Sequence, residues 1–124
     1  MKKHKSQGKL FLFHWNQESA AQRAAQLQAA GWDVTFEFED GARGGKAALD
    51  LQPDVIVFDL AQRSSHSRET AGGIRGYKAG RELKMVFVDG TAENIEKTKK
   101  KVSNGVYATS AELLSVLAKL RSSN

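Results

Sequence analysis

Pro53-Asp-Val-Ile-Val-Phe-Asp-Leu60 is a proline followed by an uninterrupted apolar run that closes on a carboxylate. Proline pushes the residue before it out of the helical region, so any helix arriving from the N-terminal side stops here. Val55 to Phe58 are β-branched or aromatic with no polar residue among them, as in a strand covered on both faces. Two further runs have this character: Lys9-Leu-Phe-Leu-Phe13, and Lys84-Met-Val-Phe-Val88, which runs into Asp89.

The segments between these runs are amphipathic. Asn16 is placed to cap a helix in which Ala20, Ala24 and Leu27 recur at three- and four-residue spacing up to Gly31. Trp32-Asp-Val-Thr-Phe-Glu-Phe38 alternates large apolar with polar residues and predicts an edge strand. Asp40 can cap a second helix with Ala47, Ala48, Leu49 and Leu51 on its apolar face, although Gly44 and Gly45 weaken it. Ala61 to Ser67 reads as a polar loop, ahead of a helix carrying Ala71, Ile74 and Tyr77 and loosened by Gly72, Gly73, Gly76 and Gly80. Thr91 opens a helix running through Ile95 to Val102. Gly105-Val-Tyr-Ala108 makes a brief last strand. Thr109-Ser-Ala-Glu112 has the form of a capping box ahead of Leu113, Leu117 and Leu120.

Five strands separated by five helices imply right-handed crossovers and helices on both faces of a parallel sheet. The expected fold class is α/β, a flavodoxin-like doubly wound five-stranded sheet in the order 2-1-3-4-5. A chain of 124 residues fits one domain, expected over residues 9–124, behind a flexible basic N-terminal arm at 1–8. With no second domain expected, a signalling role would be exerted on another molecule.

No cysteine is present, which excludes a disulfide framework, a thiolate metal site and a cysteine nucleophile. No apolar run approaches the roughly 18 residues that span a bilayer. Met1-Lys-Lys-His-Lys5 has the basic opening of a secretion signal, but too short an apolar stretch follows, so a cytoplasmic protein with no membrane partner is expected. The net charge of +5 is uneven. Residues 1–60 hold seven basic and eight acidic side chains, and residues 61–124 hold twelve and six. The excess lies in Arg63, Arg68, Arg75, Lys78, Arg81 and Lys84, and in Lys97, Lys99, Lys100 and Lys101. Solvated helix faces account for these groups better than a nucleic-acid surface does, because aromatic interleaving is confined to Tyr77.

In a sheet of this order, ligands and chemistry gather at the carboxyl ends of the strands, where the strand order reverses. Those ends present His14, Trp15 and Asn16, then Asp59, then Asp89, then Thr109. Gly31-Trp-Asp-Val34, Asp40-Gly41, Ala47-Ala-Leu49 and Pro53 to Leu60 together resemble the receiver (CheY-like) domains of bacterial two-component response regulators, over about Lys9 to Leu120. The resemblance implies that Asp59 is the candidate phosphoacceptor for a histidine kinase. The family holds Mg²⁺ partly through an acidic pair ending the first strand, and here His14 and Trp15 take that place. Mg²⁺ prefers oxygen ligands, so imidazole and indole are poor substitutes. The family's Ser or Thr ending the fourth strand is replaced by Asp89, and its lysine after the fifth has no counterpart in Val106-Tyr-Ala-Thr109. The expectation is therefore a degenerate receiver with no catalytic residue, metal or cofactor.

Such a pseudo-receiver would act, independently of phosphorylation, through protein contacts. The resemblance places the contact face at the fourth helix, fifth strand and fifth helix, with Lys97, Lys100, Lys101 and Tyr107 on it. The partner would be a second copy or an acidic protein. The alternatives are a genuine phosphoacceptor at Asp59 and a nucleic-acid module using the basic second half. A metal site from His14, Asp59 and Asp89 is the lesser reading of those residues. Ser64, Ser65, His66 and Ser67 are expected to supply a helix cap rather than a nucleophile. Gly41-Ala-Arg-Gly-Gly-Lys46 lacks the first Gly and the Ser or Thr of a phosphate loop. Ala71-Gly-Gly-Ile-Arg-Gly76 lacks the first Gly of a dinucleotide fingerprint. No small-molecule substrate is identified.

Overall fold

The computed structural model describes residues 6–122. In chain order the elements are β1 (Gly8–Phe13), α1 (Gln17–Ala29), β2 (Trp32–Glu37), α2 (Gly41–Leu51), β3 (Val55–Asp59), α3 (Ser64–Arg75), a 3-10 turn (Lys78–Gly80), β4 (Met85–Val88), α4 (Ala92–Lys101), β5 (Gly105–Ala108) and α5 (Leu113–Ser122). The strands are parallel and lie in the order β2-β1-β3-β4-β5, as expected of a flavodoxin-like sheet.

Strand alternation sorts the core into two layers. Leu10, Leu12, Val55, Val57, Val86 and Val88 face α1 and α5, meeting Ala24, Leu27, Leu113 and Leu117. Phe11, Phe13, Ile56, Phe58, Met85 and Phe87 face the other way, onto Ala48, Ala71, Ile74 and Val102. On this second face the parallel register lines up Phe13, Phe58, Phe87 and Tyr107. Their rings stack in sequence at centroid distances of 4.9, 5.1 and 5.2 Å. The ladder ties together four adjacent strands close to the ends that carry His14, Asp59 and Asp89.

Three of the expected helix starts are capped as read. Asn16 Oδ1 accepts from Ser19 N, Asp40 Oδ1 from Arg43 N and Thr91 Oγ1 from Asn94 N. The Thr109 and Glu112 capping box is present in both directions.

Other expectations are corrected. The loop read at Ala61 to Ser67 ends early, because α3 begins at Ser64, and its N-cap Arg63 makes no side-chain cap bond. No serine caps this helix; Ser67 is drawn instead to the Asp59 carbonyl at the end of β3 and the Trp15 indole beyond β1. Tyr77 lies beyond the helix, which ends at Arg75 before Gly76. On β2, Phe36 is exposed while Glu37 is buried, the reverse of the simple alternation. The reason is local: Arg43 from α2 grips the Glu37 carboxylate through Nε and Nη2 at 3.0 and 2.8 Å. Gly44 leaves room for it, since a Cβ there would stand 2.8 Å from Glu37 Cγ.

Residues 1–5 of the expected arm lie outside the described residues. Ser6 to Gly8, read as part of that arm, belong to the fold. Gln7 N donates to Gly31 O at 2.8 Å, and Arg121 Nε donates to Gln7 O at 2.9 Å. Backbone pairing with the α1–β2 turn thus carries the ordered chain further out than the apolar pattern did.

Candidate functional site at the carboxyl ends of the strands

His14 follows β1 and Asp59 ends β3, and these strands are direct neighbours. Their side chains therefore converge: His14 Nε2 lies 3.9 Å from Asp59 Oδ2, and both groups are almost fully buried. Asp59 Oδ2 also accepts a hydrogen bond from Gln62 N at 2.8 Å. Burial pushes the His14 imidazole below its ordinary pKa, with Arg23 acting in the same direction and the carboxylates of Asp59 and Asp89 opposing both. Its Nδ1 is buried without a hydrogen-bond partner. An imidazole whose charged form is disfavoured by burial thus sits against the Asp59 side chain.

Asp89 is bound up differently. It adopts a left-handed backbone conformation, φ 60°, which Asp tolerates better than most residues. One carboxylate oxygen accepts from Ser110 N at 2.7 Å, and the other accepts from the Ser110 hydroxyl and lies 3.7 Å from Arg23 Nη2. Arg23 reaches across from α1 and donates to Ser110 Oγ at 2.7 Å. The result is a cleft of about 460 Å³ lined by His14, Asp59, Asp89 and Arg23, with Ala61 and Gln62 of the loop after β3.

The expected crevice is only half assembled. His14, Asp59 and Asp89 line it, but Trp15, Asn16 and Thr109 do not. Trp15 turns into the aromatic layer, where its Nε1 donates to Ser67 Oγ at 2.7 Å and its ring meets the His66 ring edge-on at 4.3 Å. Asn16 and Thr109 are spent on helix caps. Arg23 and Ser110 were missed. Arg23 stands three residues after Ala20 and four before Leu27, at the border of the apolar stripe of α1, but nothing local signals its reach to Asp89. Among the described residues no group of three His, Asp or Glu is placed to hold a metal ion.

No family model matches the chain, and no curated protein matches it. Solved structures do. The signal receiver domain of a response regulator from Bermanella marisrubri superposes with a TM-score of 0.72 at 17% identity, covering 94% of this chain and 98% of that one. The chain has the receiver-domain fold. The receiver domain of a sensor histidine kinase from Pseudomonas aeruginosa, solved with a magnesium ion coordinated in its active site cleft, gives 0.73 at 19%, covering 93% and 98%. A chemotaxis response regulator of Vibrio cholerae gives 0.74 at 18%, covering 90% and 97%.

On this receiver fold several basic residues of the second half are engaged within the chain. Arg75 donates to the carbonyls of Gly80, Leu83 and Ser103 at 2.9, 2.6 and 3.0 Å, clamping the chain around the 3-10 turn to the end of α4. Lys101 pairs with Glu69 at 2.9 Å and Lys97 with Glu93 at 3.6 Å. Lys99 Nζ lies 5.5 Å from the Tyr107 ring centroid. Tyr107 is half-buried with an unpartnered hydroxyl, and burial raises its pKa. Lys97 and Lys100 are exposed on α4. Among the described residues no helix is long and apolar enough to cross a membrane.

Proposed function

We propose that this receiver-fold chain is a pseudo-receiver: a signalling module without catalytic activity that works through protein contacts and without phosphorylation of Asp59. The observation that carries the reading is the state of the two carboxylates in the cleft. Asp59 is 3% exposed, its Oδ2 accepts from the Gln62 amide, and it lies against the His14 imidazole, whose charged form burial disfavours. A carboxylate attacks phosphorus only where positive charge offsets the anionic oxygens of the donor. Arg23, the one Arg or Lys among the described residues lining this cleft, is already committed to Asp89 and Ser110.

The receiver fold also implies Mg²⁺, and the structure solved from Pseudomonas aeruginosa holds that ion in its cleft. The residues of this chain do not fit it. Mg²⁺ requires oxygen donors in near-octahedral array. Here the position after β1 offers His14, whose unpartnered Nδ1 is a nitrogen, and Trp15, which is turned into the core. The neighbours in fold come from response regulators and a sensor histidine kinase. By that likeness the partner is a protein of a signalling relay. Lys97, Lys99 and Lys100, exposed on α4, are the groups offered to an acidic partner surface, Lys97 in exchange for its exposed pair with Glu93.

Acetyl phosphate with Mg²⁺, followed by intact-mass measurement, tests the reading. No added phosphoryl mass is expected. A phosphoryl adduct that disappears in Asp59→Asn would overturn it in favour of a working phosphoacceptor.

A further inference from the structure

β2 ends the sheet, and its outer side has no strand partner among the described residues. Gln7 N donates to Gly31 O and His14 N to Glu37 O, so the odd-numbered residues along this strand turn their main-chain groups inward, to β1. Backbone groups alternate along a strand, which leaves the N–H and C=O of Trp32, Val34 and Phe36 pointing outward. Little blunts this edge. Trp32 to Glu37 holds no lysine and no proline, and its register with β1 runs unbroken, without a bulge. Asp33 is its one exposed charge, since Glu37 is buried. Phe36 stands 38% exposed on the same strand, its ring 6.4 Å from that of Phe38.

We infer that two copies of this chain pair through β2, antiparallel about a two-fold axis at Val34, into one continuous sheet. In that register the strand is its own complement. Val34 is the middle one of the outward-facing residues, so it meets Val34 of the second copy while Trp32 meets Phe36, and each such pair exchanges its N–H···O bonds. Every outward group of both strands is then satisfied. A two-fold at Thr35 would instead set Trp32 opposite Phe38, which lies beyond the strand. The side chains favour the same register. Trp32 and Phe36 share the α1 side of the sheet, so each exposed Phe36 gains an aromatic neighbour. On the other side Asp33 meets Thr35, and no carboxylate faces another. Glu37 falls opposite Gly31, which leaves its bonds to Arg43 undisturbed. This self-complementarity selects a second copy over a foreign strand, in the isologous two-fold contact commonest among soluble oligomers. The edge shares no residue with the cleft at Asp59 or with Lys97, Lys99 and Lys100, so the inference stands apart from the reading given to either.

Sedimentation equilibrium of the full chain over a concentration series, with amide hydrogen exchange followed by NMR, tests this pairing. The weight-average mass is expected to rise with concentration from that of one chain toward two, and exchange at Trp32, Val34 and Phe36 to slow over the same range. Thr35→Glu sets a carboxylate against Asp33 of the second copy at both ends of the pairing, and is expected to weaken association by about fivefold or more. Thr35→Lys sets an ammonium there and is expected to strengthen association by about the same factor. Thr35 is exposed, so both variants are expected to keep the fold. Val34→Pro removes the central outward N–H, which has no bond to β1 to lose, and is expected to abolish pairing. A chain that stays monomeric throughout the series would overturn the inference. So would equal effects of the two Thr35 variants, a dimer that survives in a folded Val34→Pro, or slowed exchange confined to α4 and β5.

Discussion

The Ser67 hydroxyl donates its proton to the main-chain carbonyl of Asp59 and at the same time accepts the indole N–H of Trp15 at 2.7 Å, all in the buried layer beneath α3. One side chain thereby fixes the first turn of α3 against the end of β3 and holds Trp15 away from the cleft. Polar groups buried in this way must all be satisfied, because an orphaned donor or acceptor there keeps its full desolvation cost.

Ser67→Ala leaves both the indole N–H and the Asp59 carbonyl without that partner. A loss of about 1–3 kcal/mol in unfolding free energy is expected, read by urea denaturation. An unchanged midpoint would show that the bridge contributes nothing.

Glu37 governs the acid side of the stability curve. The Arg43 side-chain hydrogen bond, with those from the Asp40 and Glu39 amides, outweighs burial and holds its carboxyl down at about 2, against 4.5 for an ordinary Glu. The unfolded chain binds the proton first, so the stabilisation is complete above about 4.5 and is lost as pH falls through about 2. Glu37→Gln is expected to be less stable than the parent at neutral pH, and the gap to close in strong acid. A gap independent of pH would count against the ion pair as its source.

His14 contributes with the same sign at higher pH. Its buried imidazole titrates below the ordinary 6.5, so unfolding takes up a proton as pH falls from 6.5 towards the lowered value, and stability declines over that window. The imidazole C2 proton resonance is expected to titrate with a midpoint under 6.5. A midpoint above it would mean that Asp59, rather than burial, dominates.

Two glycines in neighbouring helices should respond oppositely to alanine. A Cβ at Gly44 would overlap the Phe13 ring and crowd Glu37, so Gly44→Ala is expected to cost about 1–3 kcal/mol despite its better helix propensity. At Gly73 the added methyl meets nothing within 4 Å, so Gly73→Ala is expected to gain up to about 1 kcal/mol. Thermal melts of the two variants read both signs, and a destabilised Gly73→Ala would contradict the open space there.

The strand runs at Lys9 to Phe13, Val55 to Phe58 and Met85 to Val88 were legible because burial on both faces demands continuous apolar sequence. Asn16, Asp40 and Thr91 were legible as caps because capping is a contact across three residues. Gly44 and Gly45 looked like weak points in a helix. Propensity reports the cost of a glycine but not the neighbour it admits, here Phe13 and Glu37 at Gly44 and Ile74 at Gly45.

Sequence alone determined the layered architecture, the strand order and the acids standing at the ends of β3 and β4, since periodicity and local chemistry act within a few residues. Tertiary structure decided how those acids are used. Arg23 and Ser110 claim Asp89 from positions 21 or more residues away in the chain, and Ser67 captures Trp15 across 52. Side-chain reach between distant elements depends on helix placement and rotamer, and no pattern within one segment encodes it.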